Sequence, residues 1–312
     1  MNVHALTAAP GPELAAALAR FEEQFAYPLG PGRSFRVSHG GDYPRFFRAV
    51  GAAVCFVAER GGAVLGVLGM AATRVVTADG PDVPAIYLGD LKVAPAARGG
   101  RVLTRMADAA AEWCHGRAAC GFGVVMDGTP VTPDRYTGRL GIPPFREAAT
   151  VAVLRLPAAG STARANWPAD AATGVECFAR LAAGRVHTGG GNPAERSETL
   201  PLWLVAPDGS ACGRFEDTRR AKRLIANDGE MIAAHLSCIG YANHAALAEL
   251  FRVACGLAAA RGFPALFAAV PADEANVALA HLDEPGVVVA PATVFASGFE
   301  PGHRWSINTA EI

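Results

Sequence analysis

Net charge and long apolar runs are what this 312-residue sequence has least of. Its formal charge is −1 and its pI near 6.7, so the chain as a whole offers no electrostatic footprint for nucleic acid or an anionic membrane. No stretch of about 18 consecutive apolar residues is present, which argues against a membrane span. The N-terminus lacks the basic start and unbroken apolar core of a signal peptide, so a cytoplasmic protein is expected. The seven cysteines (Cys55, Cys114, Cys120, Cys177, Cys212, Cys238, Cys255) are odd in number and scattered. They form no CxxC pair and have no suitably spaced His, so they read as buried thiols and no metal is expected.

What the chain does have is apolar residues at 51% against 18% charged, a globular balance that excludes disorder. Its length suggests two domains of roughly 150 residues. Glu13 to Phe25 has Leu14, Leu18, Phe21 and Phe25 at helical spacing. Tyr27 to Gly41 reads as a Gly- and Pro-rich loop of the kind that covers a site, and Tyr43 to Val50 as a short helix. Val54 to Glu59, Gly61-Gly62 and Ala63 to Val76 spell a hairpin, with Ala85 to Val93 the third strand of the meander. Leu103 to Arg117 is then a helix, Gly123 to Met126 a buried parallel strand, Asp134 to Leu140 a short helix and Ala148 to Leu156 a closing strand.

The stretch Pro157 to Gly174 is small, polar and without period, which places a linker at 158–174 between domains at 1–157 and 175–312. The second half repeats the plan more faintly. A hairpin over Pro201 to Phe215, a strand over Met231 to Ile239, a long helix over Ala245 to Arg261, a strand over Ala265 to Val270 and a helix over Ala275 to Leu282 follow in order. An internal duplication in a mixed-sheet α/β fold is the expectation.

Residues Tyr87 to Met106, YLGDLKVAPAARGGRVLTRM, carry the chemistry. A buried strand runs through a Pro-bearing turn into an Arg-Gly-Gly loop and opens a helix, which brings free backbone N–H groups, a helix N-terminus and two guanidinium groups to one point. The main-chain N–H groups of Gly99, Gly100, Arg101, Val102 and Leu103 can each donate to a diphosphate, and Arg98 and Arg101 can add charge-assisted contacts.

This strand, turn and helix resemble motif A of the GNAT N-acetyltransferases, V-x-P-x-x-R-G-x-G-x-G/A. Val93, Pro95, Arg98 and Gly99 match, Gly100 fills the variable place and Val102 the aliphatic one, whereas Arg101 replaces a glycine and Leu103 the final Gly or Ala. The resemblance implies the GNAT acyl-CoA N-acyltransferase fold, as two tandem GNAT-like domains, with acetyl-CoA as cosubstrate. It implies that the pantetheine arm lies along the edge formed by Leu91, Lys92 and Val93, with the carbonyl to be attacked near Asp90 and Leu91. Acyl transfer to an amine needs a proton acceptor and a donor to the departing thiolate. The resemblance implies Asp90 as base, with Lys92 or main-chain N–H groups as its partners if it is structural; Asp127, at the exit of Gly123 to Met126, is the second candidate. Tyr136 stands where family members keep a thiolate-protonating tyrosine, with Thr129, Thr132 and Arg135 in the same loop.

His39, His115 and His187 have no partner by spacing and read as surface or helix-end residues, and Gly189-Gly190-Gly191-Asn192 as a plain loop. The second half has GYANHAALAEL where a phosphate loop would stand, so it is expected to shape the substrate cleft, with Tyr241, Asn243 or His244 at its border. Three functions stay open: acetyl transfer to a primary amine of a small molecule or peptide, transfer of a longer acyl group from CoA or a carrier protein, and acyl-CoA binding without turnover. The oligomeric state is open, a homodimer included.

Overall fold

The Gly61-Gly62 turn, with φ of +59° and +79°, lets two long strands rich in Val, Ala and Leu fold back on each other, and the sheet grows from that hairpin. The computed structural model describes residues 1–28, 34–139, 141–158 and 167–312. The first half runs β1 (Asn2–Leu6), α1 (Pro12–Glu22), β2 (Tyr27–Pro28), β3 (Ser34–Ser38), α2 (Arg45–Arg48), β4 (Ala52–Arg60), β5 (Ala63–Val76), β6 (Asp82–Val93), α3 (Val102–Cys114), β7 (Cys120–Met126), α4 (Pro133–Tyr136) and β8 (Arg146–Pro157). The second runs β9 (Pro168–Ala169), α5 (Ala171–Leu181), β10 (Val186–Thr188), α6 (Pro193–Arg196), β11 (Leu202–Val205), β12 (Ala211–Glu216), β13 (Arg223–Ala226), β14 (Gly229–Glu230), β15 (Ala234–Tyr241), α7 (His244–Ala260), β16 (Ala265–Pro271), α8 (Ala275–Leu282), β17 (Val288–Ser297) and β18 (Trp305–Ser306). Among the described residues no helix is long and apolar enough to cross a membrane.

The two halves share one mixed sheet in the order β1-β4-β5-β6-β7-β17-β8-β16-β15-β12-β11-β9. Both halves use the same element order, and each pairs two strands in parallel, β6 with β7 and β15 with β16. The last strands are exchanged. β17 of the second half pairs with β7, β8 of the first half pairs with β16, and the two meet antiparallel at the centre. The expected closing strand Ala148 to Leu156 is therefore present but completes the other half's sheet. Val288 and Val289, an apolar pair after Pro285-Gly286, open the ten-residue β17. The segment expected as a linker over 158–174 already contains β9 and the start of α5, where Asp170 caps the helix by accepting from the Thr173 N–H at 2.8 Å. Residues 159–166 lie outside the described residues.

A second, four-stranded sheet, β14-β13-β3-β2, packs strands of both halves together. The segment Tyr27 to Gly41, expected as a loop, contains β2 and β3, with 29–33 outside the described residues, and β13 and β14 have no counterpart in the sequence reading. Arg223 to Ala226 pair with Ser38 to Phe35, a contact nearly two hundred residues apart that no local pattern announces.

A buried ion network also joins the halves. Arg196 is wholly buried; its Nε and Nη2 donate to Glu216 at 2.7 and 3.1 Å, Nη2 donates to the Gly190 carbonyl at 2.7 Å, and Nη1 reaches Glu311 and the Ala49 carbonyl at 3.4 Å. Gly190, read from sequence as part of a plain loop, is a fixed acceptor. Arg196→Met leaves Glu216 and Glu311 buried without their main cation, so urea unfolding should show a loss of about 3–5 kcal/mol; a loss below about 1 kcal/mol would show that Arg214 alone satisfies Glu216.

Candidate active site

The sheet opens at β6. Asp90 has φ of +58°, and the pairing with β5 slips between Val67 and Gly69, so Asp90 and Leu91 together face Leu68. On its other edge β6 pairs with β7 only through Ala85, Ile86 and Tyr87, after which the strands part. Gly123 sits at the fork because a Cβ there would lie 2.6 Å from the Leu88 carbonyl oxygen. Beyond Tyr87 this edge of β6 has no strand partner, and a cavity of about 790 Å³ fills the gap. It is lined on the α3 side by Leu103, Ala107 and Cys114, and toward the second half by Leu224, Met231 and Phe267. Its volume is that of a ligand site.

Above the fork the chain makes one turn of 3-10 helix at Pro95–Ala97 and then enters α3. Gly99 has φ of +75° with open space around it, and Arg98 to Arg101 are exposed. The Gly100 N–H turns back to the Ala97 carbonyl at 3.4 Å, so it is less available than expected. Val102, Leu103 and Thr104 form the first turn of α3, whose N–H groups have no intrahelical acceptor, and Arg101 supplies no side-chain cap. Leu103, bulky for its place in the motif, lines the cavity instead of closing the seat. The second half differs at the same point. Asn243 caps α7 by accepting from the Ala246 N–H at 2.9 Å, and Cys238, at φ +51°, donates its N–H to the Asn308 side chain at 2.7 Å. There the helix start and the strand gap are both filled by the chain itself.

Asp90 is nine-tenths buried at the bulge, with Lys92 Nζ 2.6 Å from Oδ1 and the Tyr43 hydroxyl donating to Oδ2. Burial alone would raise its pKa, but Lys92, His39 and the hydrogen bonds outweigh burial and bring it down to about 2. The same pairing raises Lys92 above the ordinary lysine value against the opposing effect of burial. Burial, then Asp90, pushes Tyr27 up to about 12. A carboxylate so held has little affinity for an ammonium proton. Lys92, expected along the pantetheine edge, has its charged end committed to Asp90.

His39 was read from sequence as a surface residue; the structure buries it at 4% exposure and places it on the cavity wall. Its Nδ1 lies 2.6 Å from Glu22 Oε1 and its backbone N–H donates to Glu22 Oε2 at 3.2 Å, with Asp90 3.7 Å away. A carboxylate accepts, so Nδ1 carries the proton and Nε2 keeps its lone pair in the neutral ring. The rings of Tyr43 and Phe46 pack on it at 4.3 and 5.7 Å. Glu22, His39 and Asp90 are ligand types grouped within 4.8 Å, but the Lys92 ammonium already neutralises this cluster where a cation would sit.

Tyr136 lies half-buried on the cavity wall, and burial followed by Asp134 raises it to about 12. Thr129 also lines the cavity, its hydroxyl donating to the Met126 carbonyl at 2.7 Å. Asp127 is exposed at the far end of β7 and accepts from the Thr293 hydroxyl at 3.2 Å, outside the cavity lining. Arg135 is likewise outside that lining, and His115, though exposed, is part of it. His187 is buried and packs on Phe178. Tyr241 and His244 turn away to Glu274 at 2.5 and 3.1 Å, so neither they nor the capping Asn243 border the cleft.

Residues 20–131 match the Acetyltransferase (GNAT) family. Among solved structures, Saccharomyces cerevisiae N-myristoyltransferase with bound myristoyl-CoA is similar over 99% of this chain and 87% of its own, at 11% identity and a TM-score of 0.66. A GCN5-related N-acetyltransferase from Anabaena variabilis ATCC 29413 is similar over 95% of this chain and 72% of its own, at 12% identity and a TM-score of 0.51. No curated protein matches the sequence. The fold is thus that of tandem GNAT-like halves, and the family match lies within the first of them.

Asp90 titrates below its ordinary value of 3.8 in the fold, so its contribution to stability is complete above about pH 4 and is lost as pH falls toward 2. The stability difference between wild type and Asp90→Asn should therefore be several kcal/mol near neutrality, about 3–5 by analogy with broken buried pairs. It should shrink as urea midpoints are followed down through that window; a difference independent of pH would contradict the assigned pairing.

Proposed function

We propose that this protein transfers an acyl group from acyl-CoA to a primary amine of a small molecule or peptide by direct attack. The observation that carries the reading is the juxtaposition of an unpaired β6 edge, the free N–H groups opening α3 and one cavity running from that edge to the second half. The diphosphate would sit at Gly99, Arg101, Val102 and Leu103 with Arg98 beside it, and the pantetheine arm along Leu91 and Val93.

In this reading the amine nitrogen attacks the thioester carbonyl and forms the C–N bond, and the C–S bond then breaks. The proton shed by the amine passes to His39 Nε2, whose tautomer Glu22 fixes, and the departing thiolate takes the phenolic proton of Tyr136. Asp90 holds the bulge and is the weaker candidate for the base, because its proton affinity is low. Asp127 is also a weaker candidate, because it is exposed and lies outside the lining, though its neighbours Met126 and Thr129 belong to it.

Acetyl is the donor group that the phosphate-loop motif suggests. A second reading, a longer acyl chain, is favoured by the cavity itself, whose walls around Met70, Ile86, Leu88 and Phe145 are apolar and exceed what an acetyl group needs. Thiol release from acetyl-CoA and myristoyl-CoA with an amine panel, together with the thermal shift each donor produces, separates the two. Absence of both release and shift would defeat the proposal; a shift without release would leave only a binding module. His39→Gln should lower kcat by about 10²-fold or more, and Tyr136→Phe by a smaller factor. Gly99→Asp, which strains a left-handed residue and puts a carboxylate at the phosphate seat, should weaken CoA binding by more than about tenfold.

A further inference from the structure

Lys222 is a buried cation on the cavity wall whose chemistry the reaction above does not use. It lies in the turn before β13, with its backbone N–H donating to the Thr218 carbonyl at 2.7 Å and its carbonyl accepting from the Thr218 hydroxyl at 3.1 Å. The residue is 7% exposed and lines the cavity. Its Nζ stands 4.4 Å over the Phe46 ring, and among the described residues no carboxylate lies within 4 Å of it. Asp90, the carboxylate that acts on it from a distance, is committed to Lys92 and Tyr43, while Arg196 and Lys92 repel it.

A buried ammonium without an anion is costly, and the other charged groups of this structure show how the fold normally avoids it. Lys92 has Asp90, and Arg196 has Glu216 and Glu311. Lys222 is left facing a ligand-sized space. Burial lowers its pKa to about 7, so it can gain a proton on meeting an anion without a large penalty. Around Lys222 the wall is apolar at Phe46, Leu224 and Met231, and the nearby His235 is turned to the Thr309 hydroxyl at 2.9 Å, so an anion placed there meets one ammonium, which suits a carboxylate.

We propose that Lys222 binds a carboxylate of the acceptor, which makes the acceptor a small molecule carrying both a primary amine and a carboxylate, of the amino-acid type. Phe46 fixes the spacing. Its ring contacts both groups, Lys222 Nζ at 4.4 Å and the His39 ring at 5.7 Å, so the amine and the carboxylate are joined by a short spacer. The second half thereby contributes specificity to chemistry carried by the first. This inference rests on the acyltransferase reading for the amine's role, but the carboxylate contact can be measured without turnover.

The experiment is calorimetric titration of the full chain, with CoA present, using N-acetylglycine, N-acetyl-β-alanine and N-acetyl-γ-aminobutyrate, each against its neutral amide. Wild type should bind at least one acid about tenfold or more tightly than its amide, Lys222→Met should lose that preference, and Lys222→Arg should keep part of it. Melting curves of the variants check the fold, and the wild-type comparison of acid with amide stands even if a variant fails to fold. Equal binding of acid and amide by wild type, no binding of any probe, or an unchanged preference in Lys222→Met would each overturn the proposal. In a transfer assay, equal loss by Lys222→Met on acid and amide acceptors would also overturn it, because that is the behaviour of a proton acceptor. Absence of thiol release with every donor, alongside a retained acid preference, would defeat the acyltransferase reading alone.

Discussion

The bulge at Asp90 is the constraint on which the rest of the site depends. One residue in the left-handed region shifts the register of β6 against β5 and turns its outer edge away from β7. A non-glycine residue held there needs compensation, and Asp90 receives it from Lys92 and Tyr43. The charge buried for this purpose also lies 3.7 Å from His39, which Glu22 holds from behind at 2.6 Å. Backbone strain, ion pairing and the opening of the sheet are thus one arrangement, with the uncapped start of α3 placed at its end.

The second half shows what the same frame becomes when those compensations change. Cys238 repeats the left-handed kink, yet its N–H is taken by Asn308, and α7 begins behind the Asn243 cap. Two chain segments that look alike in topology therefore differ in whether polar main-chain groups are left for a ligand. The exchange of β8 and β17 between the halves makes the sheet continuous, and the β3–β13 pairing places Lys222 across the cavity from α3. The halves share a wall of the site as well as a sheet.

Local order was legible. The glycine turn of the first hairpin, the helical spacing of Leu14, Leu18 and Phe21, and the Arg98-Gly99 loop before α3 each carry their meaning within a few residues, because turn geometry and side-chain periodicity are local properties. Tyr136, expected near the site from the resemblance to the family, does line the cavity. His39 could not be so placed. Its partner Glu22 is seventeen residues away, across a segment read as loop, and a lone histidine carries no mark of burial in its neighbours.

The amino-acid sequence by itself determined the two-fold repetition of elements, the mixed α/β class and the position of the Arg-Gly-Gly turn before α3, since each follows from local pattern and periodicity. Only the tertiary structure decided which strands are neighbours, that Asp90 is spent on Lys92 and Tyr43, and that His39, held by Glu22, and Lys222 meet at one cavity. Strand exchange and the burial of charge depend on contacts between residues far apart in the chain, and their energies are set by the surroundings that folding creates.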